Sequence, residues 1–363
     1  MTLYDLSREE LSELLAGEPA YRAGQLWEGL YRDHREIDEL TTLPKSLRAR
    51  LSGDERLSPA WSLVIESASD RGATRKWLFE AGDGSRIETV LMRYRERTTV
   101  CVSSQAGCAM GCSFCATGQL GFGRHLSCGE IVEQFIRASR WATAEGWGRI
   151  GNMVLMGMGE PLANYDNVFR ALRRCNDSVG IGARSITVST VGVVPGIAKM
   201  ASEPLQVNLA VSLHAANDGL RDHLVPLNRR YPLKVLMAAC EDYVEVTRRR
   251  ISFEWACIGG VNDRPSDAHE LAALARPLRA HVNLIPLNPT PGYQVAGSTA
   301  ETVAYFRDEL RDLGVNVTIR NTRGRDVDAA CGQLAAGISP GGLTRGKRSS
   351  GAPREVAVRA RLA

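Results

Sequence analysis

No stretch of this 363-residue chain is apolar for long enough to cross a bilayer, so no membrane-spanning helix is expected. The opening Met-Thr-Leu-Tyr-Asp-Leu-Ser has no basic stretch leading into an apolar one, so no secretory leader is expected either. Charge of one sign is also lacking. Lys and Arg number 45 against 41 Asp and Glu, a net +4, which is compatible with a polyanionic partner but does not require one. The nine cysteines are an odd number. Without an export signal they point to a reducing cytoplasm, where thiols serve metals and redox chemistry and stable disulfides are not expected. The length suffices for a barrel-sized core plus a smaller appendage.

A fourth metal ligand is missing as well. Cys108, Cys112 and Cys115 lie in Gly107-Cys-Ala-Met-Gly-Cys-Ser-Phe-Cys-Ala-Thr-Gly118, with three residues between the first pair and two between the second. The small residues Ala109, Gly111 and Ser113 let the backbone curl so that three thiolates can face one metal centre. A closed zinc site needs a fourth ligand, usually from a second CxxC or a His pair at finger spacing, and none lies nearby. Three cysteines on a cubane iron-sulfur cluster leave one iron open, which is a catalytic arrangement. A reduced thiol cluster or a zinc knot is the plainer alternative. CxxxCxxC with an aromatic before its last cysteine resembles the signature of radical S-adenosylmethionine (radical SAM) enzymes. There the open iron of a [4Fe-4S] cluster chelates SAM and passes one electron into its sulfonium, leaving methionine and a 5'-deoxyadenosyl radical. The resemblance implies that Phe114 lies near the adenine of SAM.

Periodicity divides the chain into four parts. Residues 1-60 read as a helical accessory domain, with Leu3, Leu6, Leu11, Leu14 and Leu15 at helical spacing, Ser7 and Glu10 as a capping box, and further helices over 24-31 and 44-51. Basic and aromatic residues interleave there (Tyr21, Arg22, Trp27, Tyr31, Arg32, Arg35), which fits either RNA phosphates or a solvated charged face. Residues 61-97 read as a β-extension with strands over 63-65, 76-79 and 86-94 and a Gly82-Asp-Gly84 turn. Alternation places Glu88 on one face with Arg86 and Val90. From 98 to 335 strands over 98-103, 152-156, 185-190, 206-213, 251-256, 282-287 and 315-320 alternate with helices. That pattern predicts an α/β fold, a partial (β/α)6 TIM-like barrel with active residues at the C-terminal strand ends. Residues 336-363 form a basic tail, either an RNA-affinity element or a disordered segment.

The predicted strand ends carry small or polar groups: Met156-Gly-Met-Gly-Glu-Pro161, Val188-Ser-Thr-Val-Gly192, Ser212-Leu-His214 and Asn288-Pro-Thr-Pro-Gly292. Each alone signals only a tight turn. Together with the cysteine loop they resemble the SAM-contacting motifs of the RlmN family, the adenine-C2 methyltransferases of 23S rRNA and tRNA. The resemblance implies that Gly159, Glu160, Ser189, Ser212, Leu213, His214 and Asn288 contact SAM, with Glu160 on its amino group. Cys128, Cys175, Cys240 and Cys257 read as buried hydrophobes. Cys101, ending a strand, and Cys331, in the Gly-flanked loop Arg323-Gly-Arg-Asp-Val-Asp-Ala-Ala-Cys-Gly-Gln-Leu334, match the family's catalytic pair.

Adenine C2 is electrophilic, so ordinary polar transfer from SAM does not methylate it. As the resemblance implies, Cys331 takes a methyl group from one SAM. A second SAM is cleaved at the cluster, and the S-methyl group loses a hydrogen and adds to C2. Cys101 then attacks the Cys331 sulfur, releasing methylated RNA and leaving a disulfide for external reductant to reopen. Glu88 matches the family's proton acceptor. Base extrusion from 23S rRNA and tRNA, an electron donor such as a flavodoxin-type reductant, and a monomeric cytoplasmic enzyme are also implied. Two other readings remain: a Cfr-type adenine-C8 methyltransferase, which shares the cysteines, and a non-catalytic metal-binding RNA module.

Overall fold

The computed structural model describes residues 2-290, 292-320, 323-324, 327-329 and 332-334, so Cys331 and the basic tail lie outside the described residues. The strands are β1 (Trp61–Ser69), β2 (Thr74–Ala81), β3 (Arg86–Arg93), β4 (Thr98–Cys101), β5 (Gln105–Gly107), β6 (Phe122–His125), β7 (Asn152–Leu155), β8 (Ile186–Thr190), β9 (Asn208–Ser212), β10 (Ser252–Cys257), β11 (His281–Pro286) and β12 (Asn316–Ile319). Ten of them form one sheet in the order β1-β2-β3-β4-β7-β8-β9-β10-β11-β12, and β5 and β6 pair separately. The first four are antiparallel; from β4 through β12 every pairing in this sheet is parallel. All seven strands expected after residue 98 are present, each within two residues of its expected bounds. Six strand-helix units and a closing strand make up the predicted barrel.

Alternation decides which side faces what. On β10, Phe253, Trp255 and Cys257 are fully buried outward, with Trp255 stacked on Phe306 of the helix Ala300–Asp312 at 6.0 Å. Ser252, Glu254 and Ala256 point the other way, inward. The sheet curls on that inner side. Arg320, just past β12, brings its guanidinium to 3.6 Å from the Met156 sulfur at the end of β7, although four strands lie between them. The ladder stays open, since β12 pairs only with β11 among the described residues.

The N-terminal helices dock on the outside of the barrel. Ser7 and Glu10 form the expected capping box. The Asp5 carboxylate accepts from Gly129 N (2.7 Å) and Ser127 Oγ (3.0 Å) at the start of the helix Cys128–Ala144. Only glycine fits at 129, because a Cβ there would lie 2.5 Å from Asp5 N. Arg174 donates to Tyr4 O (3.0 Å), Leu6 O (2.7 Å) and the Tyr31 hydroxyl (3.0 Å), and lies over the Trp27 ring. This corrects part of the basic-aromatic reading: Trp27 and Tyr31 hold the accessory domain to the barrel, while Tyr21, Arg32 and Arg35 remain exposed. Charged hydrogen bonds of this kind contribute about 2 kcal/mol. Arg174→Ala is therefore expected to lower stability by about that much and to expose residues before β1 to early protease cleavage, followed by gel and mass spectrometry against urea midpoints.

Candidate functional site

The C-terminal ends of β7 to β11 and the loop that follows β4 meet at one cleft, about 840 Å³ with its open mouth included. Cys112, Phe114 and Cys115 enter from the loop after β4, Gly157, Gly159 and Glu160 from the turn after β7, and Ser189 to Val191 from β8. Ser212 and His214, Glu254 and Ala256, and Ile285 with Asn288 complete the wall from β9, β10 and β11. Gly332, the chain neighbour of Cys331, also lines it. Six of the seven residues expected at SAM are thus brought together. Leu213 is not: its side chain is fully buried, its N–H donates to Glu254 O (3.0 Å), and its carbonyl accepts from Ala215 N and Arg221 Nε.

The Gly-rich turn is a packing device. Gly157, Met158 and Glu160 spend their N–H groups on Val102 O (3.2 Å), Ser103 Oγ (2.9 Å) and Gln105 Oε1 (2.8 Å), so these donors are not directed at a ligand. A Cβ at Gly159, where φ is +100°, would lie 2.5 Å from Gln105. Glycine is needed there for both space and backbone angle. The turn places Glu160, fully enclosed, with one carboxylate oxygen on Leu162 N (3.0 Å) and the other on Val191 N (2.9 Å). Burial pushes its carboxyl up to about 7, against the lowering effect of these donors.

His214 adopts φ +60° and accepts from Ala256 N at Nδ1 (3.0 Å). Burial, with the Arg221 charge, drives its pKa down to about 3, so the ring is neutral and is no general acid or base here. It meets Phe114 edge-on at 4.7 Å, giving the cleft an aromatic wall. Two residues that pattern reading missed hold this rim. Asn262 donates to His214 O (2.8 Å) and Ala256 O (2.7 Å). Arg221, nearly fully buried in the helix Asp218–Leu224, donates to Leu213 O (3.1 Å), Val191 O (2.7 Å) and Asn228 Oδ1 (2.9 Å). Val191 therefore acts through its backbone, whatever its side chain. A helical Arg beside Asp218 and Asp222 reads as solvated, and no local signal marks it otherwise.

Glu88 and Cys101 do not line the cleft, but they share its inner face. Val90 pairs with Cys101, and Cys101 with Val154, two residues before the lining Met156. Glu88 is buried, not solvated, and pairs with Lys76 Nζ at 3.1 Å. The described residues around 331 are pinned to the cysteine loop: Ala116 N, one residue past Cys115, donates to Gly332 O (2.8 Å), and Thr117 Oγ1 to Leu334 O (2.5 Å).

Burial is the main force raising the three thiols: Cys108 to about 12, Cys112 well above its ordinary value and Cys115 upward. Bare thiolates are unfavourable in such a site, and a cationic metal core is what stabilises them. Mutual repulsion among the three contributes, as expected of neighbours. Among the described residues no three Cys, His, Asp or Glu side chains converge on the spacing of a single ion. A cubane has no such requirement, because each thiolate binds a different iron. The donor set fits that cluster.

Residues 102–272 match the radical SAM superfamily model. A probable dual-specificity RNA methyltransferase RlmN of Chloroflexus aurantiacus is 52% identical over 350 residues, 92% of each chain. Dual-specificity RNA methyltransferase RlmN 1 of Myxococcus xanthus is 50% identical over 341 residues, 93% of this chain and 94% of that one. The crystal structure of a radical SAM methyltransferase from Sphaerobacter thermophilus superposes with a TM-score of 0.89 at 52% identity, covering 93% of this chain and 99% of that chain.

The raised Glu160 carboxyl makes ligand binding pH-dependent. At about pH 6 the empty site is mostly protonated there, and amine N–H donors brought against it favour the carboxylate. SAM binding at about pH 6 should therefore release close to one proton from Glu160, which shows in calorimetry as a binding heat that varies with buffer ionisation enthalpy. That share of the release should fade above about pH 8 and be missing in Glu160→Gln.

Proposed function

The chain belongs to the RlmN family of radical SAM RNA methyltransferases, and from that membership we propose its reaction: methylation of C2 of an adenine in 23S rRNA and of the adenine 3' to the anticodon in tRNA. The observation that carries the reading is the single inner face. It holds Glu88 and Cys101, leads into the cleft of the cysteine loop, and has Gly332, next to Cys331, in the cleft wall. A [4Fe-4S] cluster and SAM belong to the family's chemistry; bound here, they supply an electron and a hydrogen-abstracting adenosyl radical.

Cys108, Cys112 and Cys115 would hold the cluster. Phe114 and His214 would bed the adenine of SAM, and Gly159, Glu160, Ser189, Ser212 and Asn288 would orient its amino acid and ribose. Cys331 draws its methyl group from a first SAM, so two are used per turnover, and becomes the covalent tether to C2. The radical adduct gives up one electron, which the cluster would take back, and Glu88 accepts the C2 proton. Cys101 attacks the Cys331 sulfur, frees the RNA and leaves a disulfide that a flavodoxin-type donor or other reductant reopens. The eight described cysteines, Cys101 among them, include no disulfide. A reducing cytoplasm suits that cycle, and no helix among the described residues is long and apolar enough to cross a membrane.

Reconstituted anaerobically with SAM, reductant and unmodified 23S fragment, the protein is expected to yield 2-methyladenosine on nuclease digestion. Finding 8-methyladenosine alone, or no methylated base, would overturn the reading. Cys331→Ala should lose methyl transfer while retaining iron, sulfide and RNA binding. Cys101→Ala should accumulate protein cross-linked to RNA, visible as a slow band on denaturing gels.

A further inference from the structure

Lys76 lies in β2 with only 13% of its side chain exposed, and its ammonium has two partners: Glu88 Oε1 at 3.1 Å and the Asp328 carbonyl at 3.3 Å. A buried ammonium is costly unless paired and hydrogen-bonded. The register explains the first contact. Lys76 pairs with Val90 and Leu78 with Glu88, so Lys76 and Glu88 are diagonal neighbours on the inner face, beside Cys101 opposite Val90. The second contact belongs to the segment that leads to Cys331. Asp328 has φ +51° and accepts from Gln333 Nε2 at 3.4 Å, and Gln333 also donates to Pro289 O at 3.2 Å.

The β-extension grips the same segment a second time. Asp70, in the turn between β1 and β2, accepts from Gly324 N at 3.0 Å, and a Cβ at Gly324 would lie 3.3 Å from the Thr74 methyl of β2. The extension and the C-terminal segment are therefore close-packed, with Lys76 as the charged bridge between that segment and Glu88.

We propose that Lys76 is a positioning residue for the Glu88 carboxylate, its ammonium held between that carboxylate and the Asp328 carbonyl. The proposal rests on the reading of Glu88 as acceptor of the C2 proton. A cation at 3.1 Å favours the carboxylate over the acid, so Glu88 is kept ready to take that proton. The proton then sits on Glu88 as a neutral acid. Among the described residues, the other groups on this side are engaged elsewhere or uncharged. Arg86, two residues before Glu88, is paired with Glu80 at 2.5 Å; Cys101 faces from β4; the Asp328 carboxylate is turned to Gln333.

The test uses reconstituted enzyme already methylated on Cys331, in single-turnover transfer to 23S fragment across pH, for wild type, K76M, K76R and E88Q. K76M is expected to move the acidic limb of the rate profile up by about one pH unit or more, and K76R to return it. Methylation of Cys331 itself, which does not call on Glu88, should change less than about twofold in either. K76Q keeps a donor without the charge and carries the measurement if K76M fails to fold. If E88Q is inactive but the uncharged variants leave the acidic limb in place, or slow both half-reactions equally, the role of Lys76 is overturned and that of Glu88 stands. If E88Q transfers methyl at the wild-type rate, Glu88 is not the base and both fall.

Discussion

Register across a single sheet is the constraint on which the rest of the structure depends. Side chains alternate with a period of two, so a slip of one residue in any pairing would turn its inward set outward. Followed strand by strand, the pairings keep Lys76, Glu88, Cys101, Val154, Thr187, Ala210, Ser252 and His281 on one side. Two or four residues further along, the same rows give Met156, Ser189, Ser212, Glu254, Ala256 and Ile285, all in the cleft wall. The opposite rows are apolar and covered by helices, as Phe253 and Trp255 show. The hydrophobic effect acting on the outer rows therefore fixes where the reactive inner rows point.

Much of this polar inner face is held by hydrogen bonds among its own groups. Glu254 accepts from Asn283 Nδ2 (2.8 Å) and Ser252 Oγ (3.2 Å), and Asn283 accepts in turn from Thr318 Oγ1 (2.9 Å). Above this layer, Arg221 and Asn262 tie the ends of β8, β9 and β10 together through backbone carbonyls. The rim is thus held by long-range hydrogen bonds and not by loop sequence alone, which is how turns of ordinary composition can keep a ligand-sized cleft open. Glu160 fits the same logic: its oxygens anchor two turns while its buried carboxyl stays responsive to a nearby cation.

What the sequence showed and what it hid follow from range of interaction. The cysteine spacing, the seven parallel strands and the Gly82-Asp-Gly84 turn are local signals, and the structure has all of them. Alternation put Glu88 on a face with Arg86 and Val90 but could not show its burial, which depends on Lys76 in a neighbouring strand and on a segment more than two hundred residues away. Arg221 was hidden for a similar reason, since its acceptors come from three separate turns. Leu213 shows the converse error. It sits between two lining residues in Ser212-Leu-His214, but alternation sends its side chain into the core. Trp27 and Tyr31 have the composition of an RNA contact and the location of an interdomain one.

The β-extension makes sense in the same terms. A parallel strand at the edge of an open barrel leaves ladder groups unpaired, and β4 avoids this by continuing into three antiparallel strands. That continuation adds Glu88 and Lys76 to the inner face and supplies Asp70, which receives Gly324 N. On the other side, Ala116 and Thr117 hold Gly332 and Leu334 immediately after the cysteine loop. The C-terminal segment is thus fixed at both ends of a short span, one end on the extension and the other on the cluster-binding loop. With anchors on both sides, the described residues 327-329 between them are ordered at a lower entropic cost than on a tail held at one end.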